Sequence, residues 1–275
     1  MHSKTILIGA ALLVAAVGTM QTLAGQEGRA AGSAASLQLV DDLVVGNRIL
    51  AHEGILDGLG HISVRLDQRP DRFLLSRDLA PSLVTAADFI EYDLDGNAVG
   101  GEKRQGYQER YIHAAIYKAR PDVRSVVHAH TPSVLVFADS SVPLRPMYHM
   151  ASFLAGGVPN YEIRKVPGST GMLVNNNTLG TALAQTLGDK PVALMRGHGV
   201  VIVGSDIPDA VSRSIFLDTN ARVQLQAVAL GGTVAYLGPQ DTTPIAPTPG
   251  QQTAPGGGGG YPRSWPYWKE RAMGK

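Results

Sequence analysis

Two histidines separated by one residue are the clearest chemical signal in this sequence. His128 and His130 end the apolar run in SVVHAHTPS, residues 125–133. Successive side chains of an extended chain point to opposite faces, so these two imidazoles project from the same side, roughly 6–7 Å apart along the backbone. That spacing suits two ligands of a single metal ion.

A third histidine, His198, has glycine on both sides in LMRGHGVVIVG. Gly197 and Gly199 allow a sharp turn between two runs of residues that favour β-structure. Three histidines from two strand ends can hold a divalent ion and leave coordination positions open for a substrate. A single histidine at a strand end is usually a hydrogen-bonded structural residue, but this combination favours a metal site.

Glu109 is the carboxylate that we expect beside these histidines. It lies near the start of the predicted helix YQERYIHAAIYKARP, which leads into the strand of His128. A helix that packs back along the following strand returns its first turn to the end of that strand, so the two side chains are expected to meet. Enclosure should raise the pKa of Glu109, opposed by the nearby cation. The alternative is a solvated glutamate, favoured in a first turn by the helix dipole.

Alternating strand and helix patterns supply the elements that position these residues. Short strands are predicted at HISVRL, RFLLS, VRSVVHAH, YEIRKV, PVALMRG and GVVIVG. Between and around them, helical patterns occur at LQLVDDLVVGNRILAHEGI, TPSVLVFADS, NNTLGTALAQTLGD and IPDAVSRSIFLDTNARVQLQAVALGG. Strands interleaved with helices predict an α/β sheet with helices packed against it.

The charge balance and the absence of cysteine limit which partners and which metal ligands this protein can have. The chain has 24 basic and 23 acidic residues and a net charge of +1, with no long run of either sign, so it carries no nucleic-acid footprint and a small-molecule partner is expected. The absence of cysteine excludes disulfides, thiolate nucleophiles and thiolate ligands. A metal must therefore bind His, Asp, Glu or water. Three imidazoles favour Zn²⁺, while Mn²⁺, Fe²⁺ or Co²⁺ also suit a substrate that chelates through a carboxylate.

The sequence divides into five segments with distinct composition. A positive charge, an apolar stretch and small residues before a cleavage point after Ala24 predict a secretory signal. Pro, Gly, Thr and Gln dominate a flexible linker near the other end, and the aromatic tail after it is expected to dock on its own core or on a neighbouring subunit. The segments are a signal peptide (1–24), a disordered connector (25–36), the main folded domain (37–237), the linker (238–260) and the tail (261–275).

The predicted signal sets the expected location. Export predicts a periplasmic or secreted protein with no stable membrane insertion after signal cleavage. An uncleaved N-terminal anchor is the alternative. If the start site is assigned upstream of the true one, a chain beginning near Leu37 still contains a complete, cytoplasmic domain.

Three segments together resemble the class II aldolase/adducin N-terminal domain family. They are ERYIHAAIYKARPDVRSVVHAH, LMRGHGVVIVG and GHISVR, and the resemblance covers about residues 37–237. It implies a three-layer α/β/α sandwich. It also implies that His128, His130 and His198 are the metal ligands and that Glu109 is the catalytic acid/base beside the metal. Members are typically homotetramers with sites at subunit junctions.

The sequence departs from the sugar-phosphate members of that family in the segments that hold phosphate. A Gly-Asn-x-Ser segment, a Thr/Ser-Gly turn and a Ser-Ser pair are replaced by GHIS, SRDLAP and YQE. His61 stands in place of the amide, Leu79 in place of a glycine, and Tyr107 and Gln108 in place of two small hydroxyls. Because a phosphate cradle needs close backbone N–H groups and little side-chain bulk, we expect side chains to fill it here.

Other segments resemble a decarboxylase branch of the same family, which acts on hydroxy-dienoic or hydroxy-aromatic carboxylates. These segments are RFLLSRDLAP, PLRPMYHMASF and FLDTNARVQLQAVALGG; hydroxy-carboxymuconic semialdehyde and dihydroxyphthalate decarboxylases belong to this branch. The resemblance implies a metal-dependent lyase that releases CO₂ through a stabilised enolate. An aldolase or epimerase on a sugar-like substrate is the alternative, and a non-catalytic, adducin-like binding module is the third.

Six further residues are candidates for binding a carboxylate substrate. Guanidinium groups bind carboxylates through paired hydrogen bonds, and imidazoles orient a substrate oxygen or a metal ligand. In this family, C-terminal aromatic residues often reach into the sites. Surface solvation or structural packing is the alternative for each. The candidates are Arg77, Arg145, His61, His149, Ser76 and Tyr267. His113, on the helix of Glu109, is interpreted as packing.

Overall fold

The computed structural model describes residues 37–242 and 261–274. The predicted signal peptide, the connector and residues 243–260 of the linker lie outside this part of the chain. The chain divides into two units, Met1–Asp42 and Leu43–Lys275. Of the first unit only residues 37–42 are described, and they are helical. Every helix in the described residues is too short or too polar to cross a lipid bilayer.

Strands and helices alternate along the described residues, as the sequence pattern predicts. In chain order they are α1 (37–52), β1 (His61–Arg65), β2 (Arg72–Ser76), β3 (Phe89–Asp93), α2 (Arg110–Ala119), β4 (Ser125–Ala129), α3 (Pro132–Ala138), β5 (Asn160–Tyr161), α4 (Asn177–Leu187), β6 (Val192–Met195), β7 (Gly199–Gly204), α5 (Ile207–Ala229) and α6 (Tyr261–Met273).

The strands form one seven-stranded sheet in the order β3-β2-β1-β4-β7-β6-β5. Neighbouring strands are antiparallel except for β5 and β6, which run parallel. Every residue of β1, β4 and β7 is buried. Strands covered on both faces need apolar residues at nearly every position, which accounts for the unbroken apolar runs before His128 and after His198.

Helices cover both faces of the sheet. On one face α2 and α4 pack over a core that includes Val126 and Val201. On the other face α1 approaches β1 and α5 so closely that a Cβ at Gly46 would lie 3.0 Å from Ile207 Cγ2 and 3.5 Å from Ile62 Cδ1. The arrangement is a three-layer α/β/α sandwich, so the predicted fold class is confirmed.

The first residues of the helices differ in a way that bears on function. At α4, the side chain of Asn176 accepts a hydrogen bond from the Leu179 N–H, and at α5 Asp206 caps the Asp209 N–H in the same way; both satisfy otherwise unpaired donors. Glu109 stands at the equivalent position before α2, but its carboxylate makes no cap hydrogen bond. That side chain is therefore free to serve another purpose.

The strand predicted at YEIRKV is much shorter than expected. Only Asn160–Tyr161 pairs with β6, and a 3₁₀ turn follows over Ile163–Lys165. The carboxylate of Glu162 accepts from the Arg164 N–H and also pairs with the Arg164 guanidinium. Such local side-chain hydrogen bonds compete with strand pairing, and periodicity does not reveal them.

The aromatic tail forms helix α6 and docks on the body of its own chain. The side chain of Trp268 is buried, with its ring centroid 5.7 Å from that of Phe216 in α5. Arg271 Nη1 lies 3.1 Å from Glu53 Oε1, just after α1. Of the two alternatives, the own core or a neighbouring subunit, the described residues show the tail packed against its own chain.

The contact between α4 and α2 gives a test of the packing. A Cβ at Gly180 would lie 2.5 Å from the Tyr111 carbonyl oxygen and 3.0 Å from Ala115 Cβ. We expect Gly180→Ala to lower the free energy of unfolding by about 1–3 kcal/mol, although alanine favours a helix over glycine by about 1 kcal/mol. Urea unfolding measures the change. Thr181→Ala, at the next and exposed position, is the matched control and should be neutral or stabilising; equal stability of the two variants would contradict the packing.

Candidate metal centre

Four side chains from three regions of the chain converge at one end of the central strands. Glu109 precedes α2, His128 lies in β4, His130 follows that strand, and His198 occupies the turn between β6 and β7. One ligand atom from each lies within 4.8 Å of all the others. The meeting of Glu109 with His128, expected from the sequence, is therefore confirmed.

The distances within this four-residue cluster are those of ligands around one ion. His128 Nε2 is 3.1 Å from His130 Nε2 and 3.3 Å from Glu109 Oε2. His198 Nε2 is 3.4 Å from the same Glu109 oxygen. Ligand atoms bound about 2.1 Å from a common ion, at octahedral or tetrahedral angles, stand about 3.0–3.4 Å apart. The residues present therefore fit a divalent metal.

Backbone carbonyls fix the proton positions of two imidazoles. His128 Nδ1 is 3.2 Å from the carbonyl oxygen of Val200, and His198 Nδ1 is 2.8 Å from that of Met172. Because a carbonyl oxygen only accepts, each Nδ1 carries the proton and donates it. Each Nε2 then presents a lone pair to the centre of the cluster, as metal coordination requires.

Asp57 performs the same task for His130. Its Oδ2 is 3.1 Å from His130 Nδ1, and its Oδ1 accepts from the backbone N–H groups of Leu59 and Gly60 at 2.9 and 2.8 Å. These bonds anchor the carboxylate. Burial raises the pKa of Asp57, but the backbone hydrogen bonds and His130 outweigh it and hold the pKa below its usual value. The aspartate is therefore ionised and orients the third imidazole.

Glu109 divides its two oxygens between the backbone and the cluster. Oε1 accepts from the Val174 N–H at 2.9 Å, so Oε2 is the oxygen that faces the imidazoles. Burial raises the pKa of this carboxyl, but His128 and His198, when protonated, supply charge and hydrogen bonds that outweigh burial and hold the pKa well below its usual range. The expectation of a raised pKa for Glu109 was wrong. The sequence does not reveal that both imidazoles lie within 3.4 Å of its carboxylate.

Two glycines allow the histidine turn to approach β4. Gly197 has φ +67°, in the left-handed region that favours glycine. A Cβ at Gly199 would lie only 2.3 Å from the Ala129 carbonyl oxygen and 3.1 Å from His130 Cδ2. Glycine at these positions therefore lets His198 reach the His128 and His130 pair.

His61 lies beside the cluster. It pairs with His128 across β1 and β4, with ring centroids 5.2 Å apart. Its ring is also 4.4 Å from that of Tyr107, whose hydroxyl donates to the Leu79 carbonyl. Two aromatic rings therefore lie where the family resemblance places the phosphate cradle of the sugar-phosphate members.

Ser76 and Arg77 stand where β2 ends. Ser76 is buried. Arg77 Nε is 2.7 Å from Asp88 Oδ1, so its guanidinium already has a carboxylate partner in this chain. Their roles in substrate binding stay predictions.

The remaining three candidates lie on the surface. Arg145 is exposed and its guanidinium is 4.1 Å from the ring centroid of Tyr236. His149 is exposed, and Tyr267 is exposed on α6. None of their contacts within the described residues joins them to the four-residue cluster, and their roles also stay predictions.

Two polar residues that matter here escape sequence reasoning. Asp57 occupies an Asp-Gly turn, where an aspartate needs no functional explanation. His113, interpreted as packing, instead makes buried hydrogen bonds to His61 and Ser63. Its spacing of four residues from Glu109 places both on one helix face, and that signal pointed toward the site.

Loss of one imidazole should abolish metal binding. We expect His130→Ala to reduce bound divalent ion from about one per chain to a small fraction of that, because the cluster loses one of its three imidazole ligands and the ion is then removed by dialysis. Inductively coupled plasma mass spectrometry of dialysed protein measures the content. His149→Ala, which alters an exposed histidine outside the cluster, should retain the ion. Equal metal content in both variants would exclude this centre.

The carboxylate behind His130 should tune the affinity. Asp57→Asn keeps an acceptor for the two loop N–H groups but removes the negative charge beside Nδ1, so we expect metal to bind roughly 10- to 100-fold more weakly. Competition with a chromogenic chelator reports the dissociation constant. Asp95→Asn, at a carboxylate that pairs with Lys118 on the surface, is the control. An unchanged constant for Asp57→Asn would mean that this hydrogen bond does not support the ligand.

Comparison with known proteins agrees with this geometry. Residues 41–225 match the family described as Class II Aldolase and Adducin N-terminal domain. The chain is 38% identical to Decarboxylase tropJ of Talaromyces stipitatus, over 71% of this chain and 79% of that protein, and 36% identical to the 3,4-dihydroxyphthalate decarboxylase of Arthrobacter keyseri, over 70% and 80%. L-fuculose 1-phosphate aldolase from Glaciozyma antarctica PI12 superposes with a TM-score of 0.67 at 28% identity, over 86% of this chain and 90% of the other. The chain therefore belongs to the class II aldolase/adducin N-terminal domain family, and its relatives indicate that it is a lyase.

Proposed function

We propose that this protein is a divalent-metal-dependent decarboxylase of a hydroxy-aromatic or hydroxy-dienoic carboxylate. The observation that carries the proposal is the convergence of three imidazole lone pairs and one buried carboxylate oxygen. The relatives named decarboxylases, at 36 and 38% identity, support the reaction class.

His128, His130 and His198 would hold the ion, and Zn²⁺ or Mn²⁺ suits them best, with Fe²⁺ or Co²⁺ as alternatives. When bound, the ion supplies a Lewis acid that withdraws electron density from the substrate oxygen beside the bond that breaks. Three imidazole ligands leave coordination positions that this oxygen and a neighbouring carboxylate would fill.

The filled cradle supports a carboxylate substrate over a sugar phosphate. The rings of His61 and Tyr107 lie 4.4 Å apart, and the Tyr107 hydroxyl is engaged by the carbonyl of Leu79. A phosphate group needs several backbone N–H donors at close range and little side-chain bulk around them, and these two rings stand where the sugar-phosphate members have an amide and a small hydroxyl.

Glu109 moves the proton in this reaction. The bond between the carboxylate carbon and its neighbour breaks, CO₂ leaves, and the electron pair stays on the neighbouring carbon. Glu109 Oε2, ionised at the start, takes the proton of the substrate hydroxyl and returns it to that carbon, directly or through a water. The hydrogen bond from the Val174 N–H to Oε1 keeps Oε2 aimed at the reacting atoms.

An aldolase or epimerase acting on a sugar-like substrate is the second candidate. The similarity to L-fuculose 1-phosphate aldolase favours it. Both reactions break a C–C bond and leave the electron pair on the carbon next to a carbonyl or enol carbon. The products distinguish them: an aldehyde and a ketone would favour the aldolase, and CO₂ without an aldehyde favours the decarboxylase. A chain that binds no divalent ion would instead be an adducin-like binding module.

Assembly and location belong to the same proposal. We propose a homotetramer, on the strength of the family resemblance, and a periplasmic or secreted protein, on the strength of the signal-like sequence of residues 1–24. Light scattering of the purified protein and fractionation of cells that express the full chain test the two statements.

Removal of the proton carrier should slow turnover without loss of the metal. We expect Glu109→Gln to reduce kcat by a factor on the order of 10² or more, while the three imidazoles keep the ion. Release of labelled CO₂ from 3,4-dihydroxyphthalate, within a panel of ring and dienoic hydroxy-acids, measures activity. Glu270→Gln, at an exposed position of α6, is the control. Full activity of Glu109→Gln would refute the assigned role.

A further inference from the structure

A chain of hydrogen bonds leads from the core to the edge of the metal centre. Tyr117 Oη lies 2.7 Å from Ser63 Oγ, and Ser63 Oγ lies 2.6 Å from His113 Nδ1. His113 Nε2 lies 2.7 Å from His61 Nδ1. His61 is the residue opposite His128 across β1 and β4. We call these four residues the imidazole chain.

The imidazole chain is sealed from water. Each of its side chains belongs to a residue that is at most 1% exposed, so its polar atoms must find partners within the protein. The groups hydrogen-bonded to the two rings are a hydroxyl and another imidazole, and no carboxylate among the described residues is hydrogen-bonded to either ring. A charged imidazole buried without an ionic partner is unfavourable, so both rings are neutral and each carries one proton on one nitrogen.

The phenol at the far end decides the direction of donation. Within the described residues, Ser63 Oγ is the one side-chain group hydrogen-bonded to the Tyr117 hydroxyl, so the phenol proton is donated to that oxygen. If Tyr117 donates to Ser63, then Ser63 donates to His113 Nδ1, and His113 Nε2 donates to His61 Nδ1. The opposite direction leaves a buried hydroxyl proton without an acceptor, which is unfavourable.

This direction places the proton of His61 on Nε2, the nitrogen turned away from His113. No described residue is hydrogen-bonded to that nitrogen. The ring lies on the same sheet face as His128, at a centroid distance of 5.2 Å, because residues directly opposite on paired strands share a face. The ring that carries this N–H therefore lies beside the metal centre.

We propose that His61 binds the substrate carboxylate through its Nε2–H group, and that Tyr117, Ser63 and His113 are positioning residues that keep the proton on that nitrogen. The identity of the substrate rests on the proposed function, whereas the position of the proton does not. A neutral donor binds a carboxylate oxygen without adding positive charge beside the ion. The other tautomer would present a lone pair and repel the same oxygen.

The proton position can be measured directly in the resting protein. Magic-angle-spinning NMR of the full chain, labelled with ¹⁵N-histidine and loaded with zinc, distinguishes protonated from bare ring nitrogens; His61 is assigned by the loss of its signals in His61→Gln. We expect Nε2–H in the wild type and both tautomers in Tyr117→Phe, because the phenol proton no longer sets the direction. Ser125→Ala removes a buried hydroxyl that bonds the Ser63 carbonyl, outside the imidazole chain, and should keep Nε2–H. A wild-type His61 protonated on Nδ1 would overturn the inference.

Ligand affinity tests the contact itself. Calorimetry with 3,4-dihydroxybenzoate as the probe, on zinc-loaded protein of verified metal content, should show roughly 10- to 100-fold weaker binding by His61→Leu and a smaller loss by His61→Gln, whose amide restores a donor. Equal binding by His61→Leu and wild type, or no binding by the wild type, would overturn the contact. If Nε2–H and the affinity loss are both found but no substrate releases CO₂, the decarboxylase proposal fails and the role of His61 as a carboxylate ligand stands.

Discussion

The structure of this site depends on one electrostatic constraint: four electron-rich atoms face one another with no proton between them. The outward nitrogens of the three histidines donate to Val200, Asp57 and Met172, so their inward nitrogens are bare, and the fourth atom is a carboxylate oxygen. Lone pairs held this close repel one another unless a cation lies among them. The surrounding backbone keeps them in place, and a site whose ligands are held by further hydrogen bonds binds its ion with little reorganisation.

That constraint explains local features that have no purpose in a stable fold alone. Glu109 stands at a helix start without capping it, and its carboxylate is instead tied to Val174 and turned toward the histidines. Gly199 leaves just enough room for β7 beside Ala129. His61, the member of the imidazole chain that lies beside His128, adds a proton donor to a region otherwise rich in acceptors. Helix α2 therefore lacks a side-chain cap, and position 199 lacks a packed side chain, because both residues serve the geometry of the site.

The sequence predicted the cluster well because its signals are local: a His-x-His spacing, a glycine-flanked histidine and a helix that leads into the strand. The apolar runs and their alternation with helices predicted the layers for the same reason. What it did not predict depends on distances between segments far apart in the chain. The partnership of Asp57 with His130, the bonds of His113 and the lowered pKa of Glu109 each require knowledge of which strands pair. The loss of the strand after Tyr161 follows from a side-chain hydrogen bond of Glu162 that leaves no periodic pattern.

The ligands come from positions 109, 128–130 and 198, so a bound ion joins parts of the chain that are distant in sequence and separate on unfolding. Any ligand that binds only the native state stabilises it by mass action, by about 4 kcal/mol when its free concentration is a thousand times the dissociation constant. Resistance to heat and proteolysis should therefore follow the supply of transition metal in the surroundings of the protein. Scarcity of the metal would lower the amount of folded enzyme as well as the turnover of each molecule.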